Sequence, residues 1–333
     1  MRAELKAGNT GIFSGSLMSA LKAVLAHGEQ AILVMNRRGQ ATYGFCRDCG
    51  YVEKCPRCAT PLTFHRVDEA LRCHRCGFTE MPPSQCPDCG SLRTNDFGAG
   101  TQQVQDSLLN AFPNVRIARW AADTAASHDA HEAIWTRFSE RRADVLIGTQ
   151  MIAKGLDLPL VTLVGIVQAD IGLALPDFCA GERVFQVLTQ VAGRAGRGLL
   201  GGKVILQTYQ PTHPAIAFAS QHDYAGFYAH EIAARRDLGY PPLRRLVRIV
   251  FRYASETTAR QEAEDAAMKL RIRLGRQELT GTELIGPAPC FYTRQDNFYR
   301  WHLLLRGPNP VAALDGITLR KGWSIDIDPV DTL

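Results

Sequence analysis

Asp144-Val145-Leu146-Ile147-Gly148-Thr149-Gln150-Met151-Ile152-Ala153-Lys154-Gly155-Leu156-Asp157 decides how this chain is read. The opening apolar run has no polar alternation, as in a strand buried on both faces. A glycine and a hydroxyl follow where the strand should end, which is the edge at which parallel αβ sheets bind ligands. Free backbone amides at such a helix start can grip phosphates. Taken alone, the segment is equally an ordinary strand-to-helix turn.

The pattern repeats on both sides. Ala31–Met35, Val115–Trp120, Leu163–Val167 and Val204–Leu206 read as further strands. Helices are expected after an N-cap at Ser16, near Gln102–Ala111 and near His131–Arg141. Buried strands separated by helices imply an α/β fold with a parallel sheet covered on each side. From about Ala219 the character changes. Leu246–Tyr253, Cys290–Thr293, Tyr299–Leu305 and Trp323–Ile327 read as strands and Glu256–Leu274 as a helix, a separate α+β domain.

Between Gln40 and Gly98 the alternation is interrupted by eight cysteines in four CxxC pairs: Cys46/Cys49, Cys55/Cys58, Cys73/Cys76 and Cys86/Cys89. Two CxxC turns complete one tetrahedral thiolate site, so eight thiolates suit two Zn2+ ions. Nested pairing is expected, with Cys55, Cys58, Cys73 and Cys76 on one ion. The hairpin this closes brings Cys46, Cys49, Cys86 and Cys89 together on the other. Gly50, Gly77 and Gly90 each follow a second cysteine, where a tight turn needs positive φ. A site closed by four thiolates leaves no position for water, so both ions are structural. His65 and His74 read as solvated loop residues. Six basic and six acidic residues between Cys46 and Cys89 balance, which argues against an electrostatic DNA clamp.

Gln190-Val191-Ala192-Gly193-Arg194-Ala195-Gly196-Arg197-Gly198 is the second chemical signal. On a helix, Gln190, Arg194 and Arg197 share one face. Each glycine there costs ~1 kcal/mol relative to alanine, so close approach of a ligand is implied. Guanidinium groups stabilise charge developing on a γ-phosphate.

Together these segments resemble a known family. GTQMIAKGLDLP from Gly148 resembles helicase motif V, QVAGRAGRG from Gln190 resembles motif VI, and Asn36-Arg37-Arg38-Gly39 resembles the NRRG of motif IV. A four-CxxC insertion just after that NRRG is similar to the PriA (primosomal protein N′) family of replication-restart helicases, over essentially the whole chain. The resemblance implies a RecA-like second helicase lobe at 1–39 and 99–218. It adds a two-zinc, zinc-ribbon-like insertion at 40–98 and an α+β DNA-binding domain at 219–333. It further implies an ATP-dependent 3′→5′ DNA helicase acting at stalled forks, and supports the nested zinc pairing. Arg194 and Arg197 would contact ATP from the second lobe, with Gln190 coupling nucleotide state to lobe closure. Gly148, Thr149, Lys154, Gly155 and Asp157 would face the single strand and the nucleotide cleft, joined by Asp170. Forked and single-stranded DNA, primosome proteins and single-strand-binding proteins are the implied partners. In the C-terminal domain, Arg244, Arg245, Arg248, Lys269, Arg271 and Arg273, near Phe291, Tyr292, Phe298, Tyr299 and Trp301, suit a backbone-plus-stacking contact.

Bulk properties agree. The 333 residues, 46% apolar and 21% charged with a net charge of +5, are those of an ordinary globular protein of two or three domains. No apolar run approaches the ~20 residues of a membrane span, and the start is no signal peptide, so a cytoplasmic location is expected. The sequence has neither a GxxxxGK[ST] loop nor a DEx[HD] segment for Mg2+; Gly201-Gly202-Lys203-Val204 lacks the hydroxyl and the spacing. In the family both lie on the first motor lobe, so the chain reads as starting at an internal methionine and as inactive in ATP hydrolysis alone. A motor-less zinc-stabilised scaffold that binds DNA or primosome partners is the alternative reading.

Overall fold

The structure, a computed structural model, describes residues 1–35, 46, 48–57, 60–65, 68–92, 101–120, 128–149, 161–193, 202–276, 279 and 281–333. The described strands are β1 (Gln30–Met35), β2 (Thr63–His65), β3 (Ala70–Arg72), β4 (Thr79–Glu80), β5 (Ile117–Trp120) and β6 (Val145–Gly148). They continue with β7 (Val161–Val167), β8 (Lys203–Leu206), β9 (Arg245–Tyr253), β10 (Glu283–Gln295), β11 (Phe298–Gly307) and β12 (Trp323–Ile327). The helices are α1 (Arg2–Lys6), α2 (Gly15–Ala26), α3 (Thr101–Ala111), α4 (His128–Ser139) and α5 (Ala180–Ala192). After them come α6 (Pro214–Ser220), α7 (Tyr224–Leu238) and α8 (Glu256–Arg276). The chain forms two compact units: Met1–Tyr51, Pro83–Leu173 and Gly181–Phe227 in one, Val52–Pro82, Ala174–Ala180 and Tyr228–Leu333 in the other.

In the first unit the strands stand in the order β5-β6-β1-β7-β8, every pair parallel. The unbroken apolar runs are explained by two cores. Ile32, Val34, Leu146, Val164 and Ile166 face Phe138 of α4 and Val184, Leu188 and Val191 of α5. Leu33, Val145, Ile147 and Leu163 face Leu17 and Leu21 of α2 and Val104 and Leu108 of α3. Glycine is required in the middle of β7. A Cβ on Gly165 would stand 2.7 Å from Leu33 and 2.9 Å from Leu17, so its absence lets α2 settle on the sheet. The cap of α2 is Ser14 and not Ser16: the Ser14 hydroxyl accepts from the Leu17 N–H at 3.2 Å. Ser14 has extended dihedrals while Gly15 is already helical, which sets the boundary two residues earlier than the sequence suggests.

The second unit holds an antiparallel sheet in the order β10-β11-β9-β12. Val247, Ile249 and Phe251 of β9 and Leu303 and Leu305 of β11 point to α8. That helix meets them with Leu270 and with Ala263, Ala266 and Ala267, small residues at helical spacing that bring its axis close. The same unit contains a small antiparallel sheet, β2-β3-β4, whose core is Leu62, Leu71, Cys55 and Cys73.

Candidate metal centres and motor-lobe site

The first cysteine of each pair makes the same backbone bond. The N–H of the first cysteine donates to a carbonyl five residues on, at 2.8 Å in all four: Cys46 to Tyr51, Cys55 to Thr60, Cys73 to Phe78 and Cys86 to Ser91. Gly50, Gly77 and Gly90 close the turn by donating to the carbonyls of Cys46, Cys73 and Cys86. Their φ angles are 79°, 77° and 71°, the left-handed region glycine adopts without strain.

These turns converge in the nested arrangement. The sulfurs of Cys46, Cys49, Cys86 and Cys89 all lie within 4.8 Å of one another, as do those of Cys55, Cys73 and Cys76; Cys58 lies outside the described residues. Individual separations are 3.5 Å for Cys46–Cys89, 3.5 Å for Cys49–Cys86 and 3.6 Å for Cys55–Cys76. A disulfide needs ~2.05 Å, whereas tetrahedral Zn2+ with ~2.3 Å bonds separates its sulfurs by ~3.8 Å. The donor set fits a tetrahedral metal and excludes disulfides in these pairs. Burial pushes the Cys49 thiol well above its ordinary value, against the Tyr51 N–H that donates to its sulfur at 3.4 Å. Burial also pushes Cys86 upward, but the amides of Cys89 and Asp88 overcome it and leave that thiol below its usual range. Backbone donors aimed at sulfur stabilise the thiolate a metal requires.

In the parallel-sheet unit, Gly148 ends β6 in register with Val34 and Trp120, and half-buried Thr149 follows at the carboxyl edge of the sheet. Lys154, Gly155 and Asp157 lie outside the described residues, as do Arg194 and Arg197 and the Asn36–Gly39 segment. Gln190 is exposed on the last turn of α5, and the helical ladder continues to Gly193, whose N–H donates to the Thr189 carbonyl at 3.0 Å. Asp170 is buried at 2% exposure. Its carboxylate accepts from the Thr208 hydroxyl at 2.6 Å, the Tyr209 N–H at 2.9 Å and the Gln210 N–H at 3.1 Å. Burial raises its pKa, opposed by those three donors. Among the described residues, no hydrogen bond or ion pair joins Gln190 to Gly148, Thr149 or Asp170.

The basic residues of the C-terminal sheet divide. Arg244, Lys269 and Arg271 are exposed, and Arg245 is paired with Asp328 at 2.6 Å. Arg248 is buried beside Cys290, because alternation along β9 turns it away from both solvent and α8. Lys269, Arg273 and Arg320 rim a cleft of about 620 Å³ floored by Ile249, Leu270 and Ile317. A further cluster was not anticipated. Gln295 pairs with Phe298, leaving a two-residue turn, Asp296-Asn297, with φ of 51° and 66°. Near this tip Arg252 lies over Phe298 at 4.3 Å and Arg294 over Tyr299 at 5.3 Å. A polar dipeptide between aromatic runs was the available signal.

The histidines differ most from expectation. His74 is 2% exposed and not solvated: its Nδ1 is 3.1 Å from the Pro289 carbonyl and its own carbonyl is 2.7 Å from His302 Nε2. A carbonyl cannot donate, so both of those ring nitrogens carry protons. His302 is 2% exposed, and burial, followed by the Arg248 guanidinium, drives its pKa from 6.5 down to about 3. The bond to the His74 carbonyl opposes this, while the His74 and Arg300 charges add to it. An unfolded chain therefore binds this proton first as the medium is acidified. The stability contributed by the neutral ring is complete above its ordinary pKa of 6.5 and is lost as pH falls toward about 3. Between pH 7 and 5.5 the loss from this one ring is about 1 kcal/mol. Urea unfolding of the C-terminal unit, followed in excess zinc, should show this slope, and His302→Gln should flatten it. Identical slopes for the two proteins would refute the assignment.

A five-stranded parallel sheet, together with paired cysteine knuckles and an α+β sheet unit, is the architecture of a helicase-type motor lobe with a metal-binding insertion. Comparison with known proteins gives the same class. Residues 96–198 match the helicase conserved C-terminal domain, residues 55–80 the PriA DNA helicase Cys-rich region domain, and residues 236–330 the primosomal protein N C-terminal domain. The chain belongs to the PriA family. It is 44% identical to the replication restart protein PriA of Bacillus subtilis (strain 168) over 306 residues, 92% of this chain and 38% of the relative. To the PriA of Synechocystis it is 42% identical over 342 residues, covering 99% of this chain and 41% of the relative. To that of Treponema pallidum it is 42% identical over 333 residues, covering 97% and 50%. The chain thus spans half or less of the length of these relatives. Among the described residues no helix is long and apolar enough to cross a membrane.

Proposed function

We propose that this chain is the second motor lobe, zinc-bearing insertion and C-terminal DNA-binding domain of an ATP-dependent 3′→5′ DNA helicase that restarts replication at stalled forks. The functional parts are 1–39 with 99–218, then 40–98, then 219–333. The observation carrying this reading is the convergence of Cys46, Cys49, Cys86 and Cys89, the nested set, in a chain whose β6 ends with Gly148 and Thr149 at the carboxyl edge of a parallel sheet. Cys46, Cys49, Cys86 and Cys89 would hold one Zn2+, and Cys55, Cys58, Cys73 and Cys76 the other. Each ion supplies structural cross-linking only.

ATP with Mg2+ would be held mainly by a first lobe. Arg194 and Arg197 would reach it from this side, placing fixed positive charge where the γ-phosphoryl oxygens gain negative charge. Gln190, four residues before Arg194 in the sequence and exposed on α5, would sense whether the lobes are closed. Thr149, Lys154, Gly155 and Asp157 would link the single strand to that cleft. In the C-terminal domain, Phe298 and Tyr299 with Arg252 and Arg294 supply stacking faces and phosphate partners at one hairpin tip. Forked DNA, single-stranded DNA, primosome proteins and single-strand-binding proteins are the partners this reading assigns, in the cytoplasm.

The test has two parts. Metal analysis of the purified chain should find two zinc ions; one ion, or iron, would overturn the pairing. Mixing the chain with a separately produced first lobe should yield DNA-stimulated ATP hydrolysis that neither part has alone. An inactive mixture in which both parts are folded and bind each other would overturn the motor reading.

A further inference from the structure

The cysteine-rich insertion is continuous in sequence but divided in packing. Its outer knuckles, Cys46–Gly50 and Cys86–Gly90, belong to the parallel-sheet unit, and residues Val52–Pro82 belong to the C-terminal unit. Among the described residues, each half has seating contacts within its own unit.

The outer seat is a strap. Gly50, the turn glycine after Cys49, lies against the Tyr209 backbone so closely that a Cβ would stand 2.6 Å from the Tyr209 carbonyl oxygen. Tyr209 is the centre of the Thr208–Gln210 segment that buried Asp170 grips with both carboxylate oxygens. Gln207 extends the strap, accepting from the Ser14 N–H at 2.7 Å and donating to the Ile12 carbonyl at 2.8 Å.

The inner seat is a plug. His74, between Cys73 and Cys76, donates through Nδ1 to the Pro289 carbonyl of β10 and receives the His302 Nε2 proton of β11 at its own carbonyl. Its other ring nitrogen is 2.9 Å from His65 Nε2, which must be the donor, since the His74 proton is already on Nδ1. Phe291 meets the His74 ring edge-on at 5.4 Å, and the Arg75 guanidinium lies over Tyr240 at 4.5 Å. A Cβ on Gly77 would stand 3.2 Å from the Pro287 carbonyl. The C-terminal sheet is thereby covered on one face by α8 and on the other by this knuckle. Withdrawing the knuckle removes the His74 partners of the Pro289 carbonyl and the His302 N–H and opens the apolar surface around them to water.

We propose that the two metal sites serve different units: the inner site at Cys55, Cys73 and Cys76 is a folding element of the C-terminal sheet, with His302 as its positioning residue, and the outer site is a folding element of the motor lobe. This rests on the metal reading given above. The cross-link holds the Cys73–Cys76 turn in the one conformation that presents the His74 carbonyl and Nδ1 at the correct separation. The outer ion does the same for Gly50 on the strap. Neither ion substitutes for the other.

The experiment uses the full zinc-loaded chain and begins with its metal content. A count of zero would overturn the metal reading and this inference together. With two ions present, Cys55→Ser combined with Cys76→Ser and, separately, Cys46→Ser combined with Cys89→Ser are compared by amide hydrogen exchange. The inner variant should retain one zinc and exchange its β9 and β11 amides at least about tenfold faster, with β1, β6 and β7 unchanged. The outer variant should leave β9 and β11 protected and expose residues 207–210. Equal loss of protection in both variants, or none in β9 and β11 of the inner one, overturns the proposal and leaves the zinc count standing. Should the inner variant not fold, His302→Ala, which touches no cysteine, is decisive. It should release one of the two zinc ions to a chelator at least about fivefold faster, and His302→Gln, which restores an N–H at the same reach, should reverse this. Unchanged release of both ions from His302→Ala overturns the proposal.

Discussion

Arg197→Ala should lower DNA-stimulated ATP hydrolysis, with the first lobe supplied in trans, by about a thousandfold or more, the scale of a lost arginine finger. The reasoning starts from α5. Its ladder is intact to Gly193, and Gln190 lies on its exposed side, opposite Val184, Leu188 and Val191 in the core. In sequence, Arg194 and Arg197 follow Gln190 at four and seven residues, spacings that keep one helical phase. Lysine should not replace Arg197, since it lacks the planar fork that meets phosphoryl oxygens in pairs. The change should appear in kcat, because the interaction strengthens as charge moves onto the transferred group. Thermal unfolding and zinc content should match the unaltered chain, which separates lost chemistry from lost structure. Turnover within a fewfold of the unaltered protein would refute the arginine assignment.

The parallel sheet was legible in the sequence because its central strands, β6, β1 and β7, are buried on both faces. Val161–Val167 has no solvent face, and an apolar run of that length bounded by breakers has few other uses. The knuckles were legible because sulfur spacing and the glycine after the second cysteine are local demands, settled within six residues. What escaped is set at a distance. Nothing near His74 announces that its acceptor is Pro289, 215 residues away, so a loop histidine looked solvated. Arg248 looked like a surface cation, although strict alternation with Val247 and Ile249 places it on the covered face of β9. The split of the insertion between two units was equally out of reach, because cysteine pairing fixes which sulfurs meet but not which surface each turn rests on. Asp170 was singled out by resemblance, while its three donors, Thr208, Tyr209 and Gln210, lie nearly forty residues further along.

Asp170→Ala should destabilise the parallel-sheet unit by about 3 kcal/mol, from the ~1–3 kcal/mol that each orphaned buried donor costs. The donors do not count equally. The Gln210 N–H retains the Thr208 hydroxyl as a second acceptor at 2.9 Å, and that hydroxyl can rotate. The Tyr209 N–H, which is buried, has its bond to Asp170 removed outright. Against this, the variant no longer keeps a carboxylate out of water, the same burial that raises the Asp170 pKa. That relief offsets part of the cost, because burial outweighs the three donors in the upward shift of the carboxyl, and the orphaned donors set the net loss. Asp170→Asn separates the contributions. One oxygen still accepts, but the amide nitrogen must point a donor at a donor, so about half the loss should remain. Both variants should release the outer zinc faster than the inner, because Gly50 rests on the strap that Asp170 holds. Urea unfolding with separate signals from the two sheets measures the first effect, and metal release to a chelator the second. If Asp170→Ala unfolds within about 0.5 kcal/mol of the unaltered chain, a range typical of surface changes, the strap is not what seats the outer knuckle.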